Sequence, residues 1–111
     1  MSDTTKCKIW SMWIGTYPKG GFIPLHHHNP CPVTGVFYFS VPKGSSNLYI
    51  QNPLDPVLKQ YYGNGCYKNR WHEVEISDGK LVLFPGYLNH FVPKQSVDEK
   101  RIIGSFIFDK E

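Results

Sequence analysis

The sequence predicts an all-β fold of antiparallel strands, packed as a sandwich or barrel, with very little helix. Two observations carry that expectation. Short runs rich in aromatic and β-branched residues recur along the 111 residues, and Gly, Pro, Asn and Asp break them at short intervals. Only one stretch, 55–62, reads as helical, with Asp55 as N-cap and Pro56 at the first helical position. A chain of this length builds one domain with a real core, so 1–111 is read as a single domain.

The strands follow in order. "KIWSMWIGTY" (8–17) alternates its faces, with Trp10, Met12 and Ile14 on one side. "GFIPLHHH" (21–28) is the second strand and "TGVFYFSV" (34–41) the third. The turn signal "PKGSSN" leads into "LYIQN" (48–52), which predicts an antiparallel hairpin over 34–52. "WHEVEI" (71–76) turns through Asp78-Gly79 into "KLVLF" (80–84), a second expected hairpin. "RIIGSFIF" (101–108) closes the set. The connection 53–70 is long for so small a domain, and a loop of that length is expected to act as a lid over a cavity.

Composition narrows the function classes. Hydrophobic residues make up 41% and aromatics 15%, which describes a globular chain. The formal charge is +3, and no basic run alternates with aromatics, so no nucleic-acid partner is expected. No segment has the length of a membrane helix and "MSDTTKCKIW" has no apolar leader core, so neither membrane nor export is expected. Cys7, Cys31 and Cys66 form no CxxC and cannot all pair, which reads as a reduced, cytoplasmic protein.

The run "HHH" at 26–28 carries the chemistry. On a strand, His26 and His28 point to one face and His27 to the other. Two imidazoles make part of a metal site, and the third is expected from His90, where "LVLFPGYLNH" turns at Pro85-Gly86. His72, between Trp71 and Glu73 in an alternating run, reads as an ordinary sheet residue.

The spacing Gly20-x5-His26-x-His28, with Gly79-x5-Pro85 and His90 later, resembles the two motifs of the cupin superfamily. It lacks the usual glutamate after the first pair, and Tyr87 replaces the second glycine. A fuller resemblance is to a subgroup of the 2-oxoglutarate and Fe(II)-dependent oxygenases. It rests on "TGVFYFSVP", "LVLFPGYLNH" and "DEKRIIGSFIF" in that order and spans roughly 13–108.

That resemblance implies a double-stranded β-helix, or jelly roll, that binds Fe(II) and uses 2-oxoglutarate to hydroxylate an unidentified small-molecule or peptide substrate. Residue by residue, it implies His26 and His90 as metal ligands, with His28 where most such enzymes keep a carboxylate. Arg101, eleven residues after His90, matches the arginine that grips the distal carboxylate of 2-oxoglutarate. Ile103 stands where a serine is usual, and Ser105 on the same face is the expected substitute. Tyr38 and Asn52 are expected to donate to the co-substrate. A bacterial or phage origin is also implied. A jelly roll with open edge strands often pairs, so a homodimer is compatible with the sequence, which does not itself fix the oligomeric state. Two other readings stay open here. One is a three-histidine cupin metalloprotein (dioxygenase, isomerase or lyase) without 2-oxoglutarate; the other is a non-catalytic jelly-roll binding module.

Overall fold

The structure, a computed structural model, describes residues 7–62 and 70–110. Among them the strands are β1 (Cys7–Tyr17), β2 (Ile23–His26), β3 (Val33–Ser40), β4 (Leu48–Gln51), β5 (Trp71–Val74), β6 (Leu81–Pro85), β7 (His90–Val92) and β8 (Arg101–Lys110). They form two four-stranded sheets, in the orders β1-β8-β3-β6 and β2-β7-β4-β5. Every pairing is antiparallel. The chain passes back and forth between the sheets, which is the winding of a double-stranded β-helix.

The inner faces meet around Leu48, Phe84 and Val92, all buried, with Ile50 and Val82 packed against them. Their alternation with outward residues fixes each strand's register, because a one-residue slip would exchange inner and outer faces.

Neither expected hairpin forms. β3 lies in the first sheet, paired with β6 and β8, while β4 lies in the second. The "PKGSSN" turn is local, with Ser45 N–H donating to the Pro42 carbonyl at 3.0 Å and Gly44 at φ 86°. It carries the chain across the core rather than back along the same sheet. Likewise β5 and β6 belong to opposite sheets. Asp78 accepts from Val41 N–H at 2.6 Å and Gly79 N–H donates to the Tyr38 carbonyl at 2.8 Å, so this turn docks on the end of β3. In both cases the two strands lie in opposite sheets and bury their inner apolar faces against each other.

The helix α1 (Asp55–Tyr62) forms where the sequence predicts it. The Asp55 carboxylate is buried and accepts from Arg70 Nε at 3.0 Å and Gln51 Nε2 at 2.9 Å, tying the helix to the end of β4. Gln51 in turn accepts from Asn89 Nδ2 at 3.0 Å, beside His90. Within the expected lid, 53–62 is this turn and helix, and 63–69, with Cys66, lie outside the described residues. No helix among the described residues is long and apolar enough to cross a membrane.

Candidate metal centre

Pairing of β2 with β7 sets His26 directly opposite His90. Both lie in one row across the second sheet that continues through Ile50 to His72. His72 therefore shares the row but sits two strands further on, exposed at the sheet edge. His28 reaches the same point by a different route. β2 ends at His26, so strand parity does not act on residue 28. Instead its N–H donates to the Gly86 carbonyl at 2.8 Å, and its own carbonyl accepts from Cys31 N–H at 2.8 Å. His27 is exposed, with Nδ1 accepting from Asn29 N–H at 3.1 Å.

Gly86 makes that loop docking sterically feasible. A Cβ there would lie 2.0 Å from the Cys31 carbonyl oxygen, a contact no side chain tolerates. Gly86→Ala is expected to push the His28 loop away. Metal affinity should fall by about 10–100-fold, as for loss of an outer-shell support, and stability by about 1–3 kcal/mol from overpacking. Metal titration and thermal unfolding of the variant check both.

The ligand atoms of His26, His28 and His90 lie within 4.8 Å of one another. Ring centroids are 4.1 Å apart for His26–His90 and 4.9 Å for His26–His28. Two of the imidazoles are oriented by backbone carbonyls. His26 Nδ1 lies 2.7 Å from the Pro24 carbonyl and His90 Nδ1 2.9 Å from the Leu88 carbonyl. A proton on each Nδ1 leaves each Nε2 lone pair free for a metal. Burial takes His90 down to about 4, against the Leu88 carbonyl and with the help of the neighbouring His26 and His28. Burial, then His26 and His27, also lowers His28. Neutral rings are what a cation needs as ligands.

From this cluster a cavity of about 140 Å³ runs between the sheets, with Arg101 among its lining residues. That is below the ~300 Å³ at which drug-sized ligand pockets begin, so it suits a metabolite of few carbons. Arg101 is 1% exposed, and Nη1 donates to the Ser46 carbonyl at 3.2 Å. Its guanidinium lies 5.0 Å over the Tyr17 ring, its cross-strand partner. Nε and Nη2 are buried with no hydrogen-bond partner. Burial lowers the Arg101 pKa, opposed by Tyr38 and Tyr17, and an arginine remains a cation regardless. Tyr38 is buried on the same cavity, its phenol pushed up to about 12 by burial against the pull of Arg101, so it keeps its proton as a donor.

Ser105 also lines the cavity, on the face of β8 that carries Arg101 and Ile103. Asn52 does not. The chain leaves β4 at Gln51, and the Asn52 side chain accepts from Leu54 N–H at 2.9 Å in the turn into α1, beside a separate groove with Trp71 and His72. The expected contact of Asn52 with a co-substrate has no geometric basis here. Sequence reasoning passed over Tyr17 and its glycine. A Cβ at Gly15 would lie 2.9 Å from the Tyr17 ring, which folds back along β1 beneath Arg101. The signal for them is the β1–β8 register, which a single sequence does not show.

Fold and donor set define a class: double-stranded β-helix proteins with a histidine cluster able to hold one metal ion. Within it, the chain belongs to the family described as "Putative 2OG-Fe(II) oxygenase", whose profile matches residues 11–109. Among solved structures it is similar to an oxidoreductase of the 2OG-Fe(II) oxygenase family from Burkholderia pseudomallei, with TM-score 0.74 and 11% identity over 96% of this chain and 46% of that one. A prolyl-4-hydroxylase from Pseudomonas putida matches with TM-score 0.61 and 19% identity, over 90% of this chain and 52% of its own. HygX from Streptomyces hygroscopicus, solved with nickel and 2-oxoglutarate bound, gives TM-score 0.69 and 10% identity over 95% and 56%. These are likenesses of fold, and the chain spans about half the length of each structure. No curated protein sequence matches this chain significantly.

Proposed function

We propose that this chain is an Fe(II)- and 2-oxoglutarate-dependent oxygenase that hydroxylates a substrate still to be identified. One observation carries the reading: a buried arginine whose Nε and Nη2 are unpartnered lines a small cavity that also holds three converging imidazoles. An unpaired buried donor on a charged group is costly, and a carboxylate accepting two parallel hydrogen bonds removes that cost. The residues present therefore fit both groups.

His26, His28 and His90 would hold the iron, and Arg101 the distal carboxylate of 2-oxoglutarate. Tyr38, protonated at neutral pH, donates to the same anion, and the Ser105 hydroxyl stands in for the serine that Ile103 displaces. Three neutral imidazoles leave the metal's charge at +2, which a dianionic keto acid balances. Iron bound there supplies the O2 chemistry that couples decarboxylation of 2-oxoglutarate to succinate and CO2 with oxygen insertion into a C–H bond. The chain's own part is to orient the keto acid and keep the cavity apolar, with Ile23, Val36 and Ile103 along its walls.

Tyr17 keeps the guanidinium aimed. Tyr17→Leu removes the ring but not the charge, so the Kd for 2-oxoglutarate is expected to rise by about 3–10-fold, the worth of a partly desolvated cation–π contact. Metal content should not change, and paired titrations of iron and keto acid show the difference.

The all-nitrogen donor set favours one competing reading, a three-histidine metalloprotein that does not use 2-oxoglutarate. Incubating the iron-loaded protein with 2-oxoglutarate and air separates the two. Slow succinate formation, dependent on iron and abolished by replacing Arg101, is the expected result. Iron binding with no succinate and no keto-acid binding would leave the competing reading in place.

A further inference from the structure

An antiparallel sheet with one solvated face alternates apolar and polar residues. The sheet β1-β8-β3-β6 does not. Its inner face lines the cavity, yet its outer face is apolar as well. Met12, Phe106, Gly35 and Leu83 form one outward row across the four strands. Ile14, Gly104, Phe37 and Leu81 form the next. Neither row contains a charge or a hydrogen-bonding side chain, and no other described element lies over them. Met12 is 64% exposed, Ile14 69%, Leu81 54% and Leu83 54%, with Ile9 and Phe39 near half.

We propose that a second copy of this chain covers this face, giving a twofold dimer of stacked sheets; the proposal does not depend on the oxygenase reading. At roughly 100 Å² of exposed side chain each, those six residues present roughly 600 Å², the upper end of the largest patch on an ordinary monomer. Stacking two such faces buries roughly 1,200 Å² in total, which reaches the range of specific interfaces. A face without charge also offers nothing to a charged partner.

The arrangement within the rows is self-complementary. A twofold axis parallel to the strands, running between β8 and β3, sets β6 of one copy over β1 of the other and keeps each row at its own level. Met12 then faces Leu83, and Ile14 faces Leu81. Phe37 of the second copy comes over Gly104, where a groove of about 340 Å³ opens between Met12, Ile14, Phe39 and Phe106. The ring packs against the Phe39 and Phe106 rings that already border Gly104, and symmetry makes the contact twice. The two sheets would stack about 10 Å apart, as in a β-sandwich.

Light scattering on the eluting 111-residue chain tests this. The wild type is expected at twice its 12.8 kDa. Ile14→Glu and Leu81→Glu each place a charge at a position exposed in the single copy, so folding, checked by circular dichroism, should survive. Either substitution is expected to raise the dimer dissociation constant at least ~100-fold by burying an unpaired charge. A wild type at 12.8 kDa over the micromolar range would overturn the proposal, and so would a dimer indifferent to both substitutions.

Discussion

Replacing Arg101 with Met should abolish 2-oxoglutarate binding while leaving the apo protein at least as stable. The guanidinium is 1% exposed, with Nε and Nη2 unpartnered. In the absence of an anion it is a buried charge that is incompletely satisfied, and an apolar side chain of similar length relieves that. With the anion present the balance reverses. Losing one partner of a buried, hydrogen-bonded charge pair costs about 2–5 kcal/mol, so the Kd should rise by at least ~30-fold. The two effects separate in one experiment. At 100 times its Kd, 2-oxoglutarate stabilises the wild type by about 2.7 kcal/mol, worth roughly 10–20 °C in a domain of this size. The variant should show at most about a third of that shift at the same concentration, with an unliganded Tm equal to or above that of the wild type. Thermal unfolding with and without the keto acid reads both numbers.

The second large effect belongs to His90. It is 5% exposed, packed edge-on against Phe84 at 4.8 Å, and held neutral by burial. His90→Ala is expected to eliminate metal binding, a larger loss than the ~10–100-fold typical of outer-shell changes. The cavity left behind should cost about 1–3 kcal/mol of stability besides. His26→Ala should lose the metal in the same way. His27→Ala should keep it, because that ring is exposed and its Nδ1 is engaged with the Asn29 amide. Metal analysis of the three variants, alongside their melting curves, separates loss of ligand from loss of fold.

The histidines were legible because two independent signals coincide. Their chain order with "FPGYLNH" points to His90, and alternation points to His26 and His28 as the inward pair. The second signal reaches the correct side chain by an argument that does not apply at residue 28, where loop hydrogen bonds to Gly86 replace the pleat. Arg101 was legible through the family resemblance, eleven residues after His90, with its position at the head of an apolar strand in support. Its environment was not, since Tyr17, Gly15 and the Ser46 carbonyl come from distant parts of the chain. The two expected hairpins failed for a related reason. A tight turn between two strands looks the same whether they pair edge to edge or stack across a core, and only the closed fold decides. Asn52 lines a separate groove, because a strand ending in Asn serves equally well as the start of a capped turn. The apolar outer face of β1, β8, β3 and β6 was present in the sequence as near-continuous hydrophobic runs. Those runs signal burial on both faces, but only the sheet order shows which side is left uncovered.

In the proposed reaction three imidazoles, one arginine and one keto acid share a single cavity. Anaerobic titration of 2-oxoglutarate into the Fe(II)-loaded protein, followed by visible absorption, tests it most directly. A charge-transfer band is expected that saturates with the keto acid in the wild type and is absent in Arg101→Met, although that variant still holds its iron. An iron-loaded wild type that gives no band and binds no 2-oxoglutarate would contradict it.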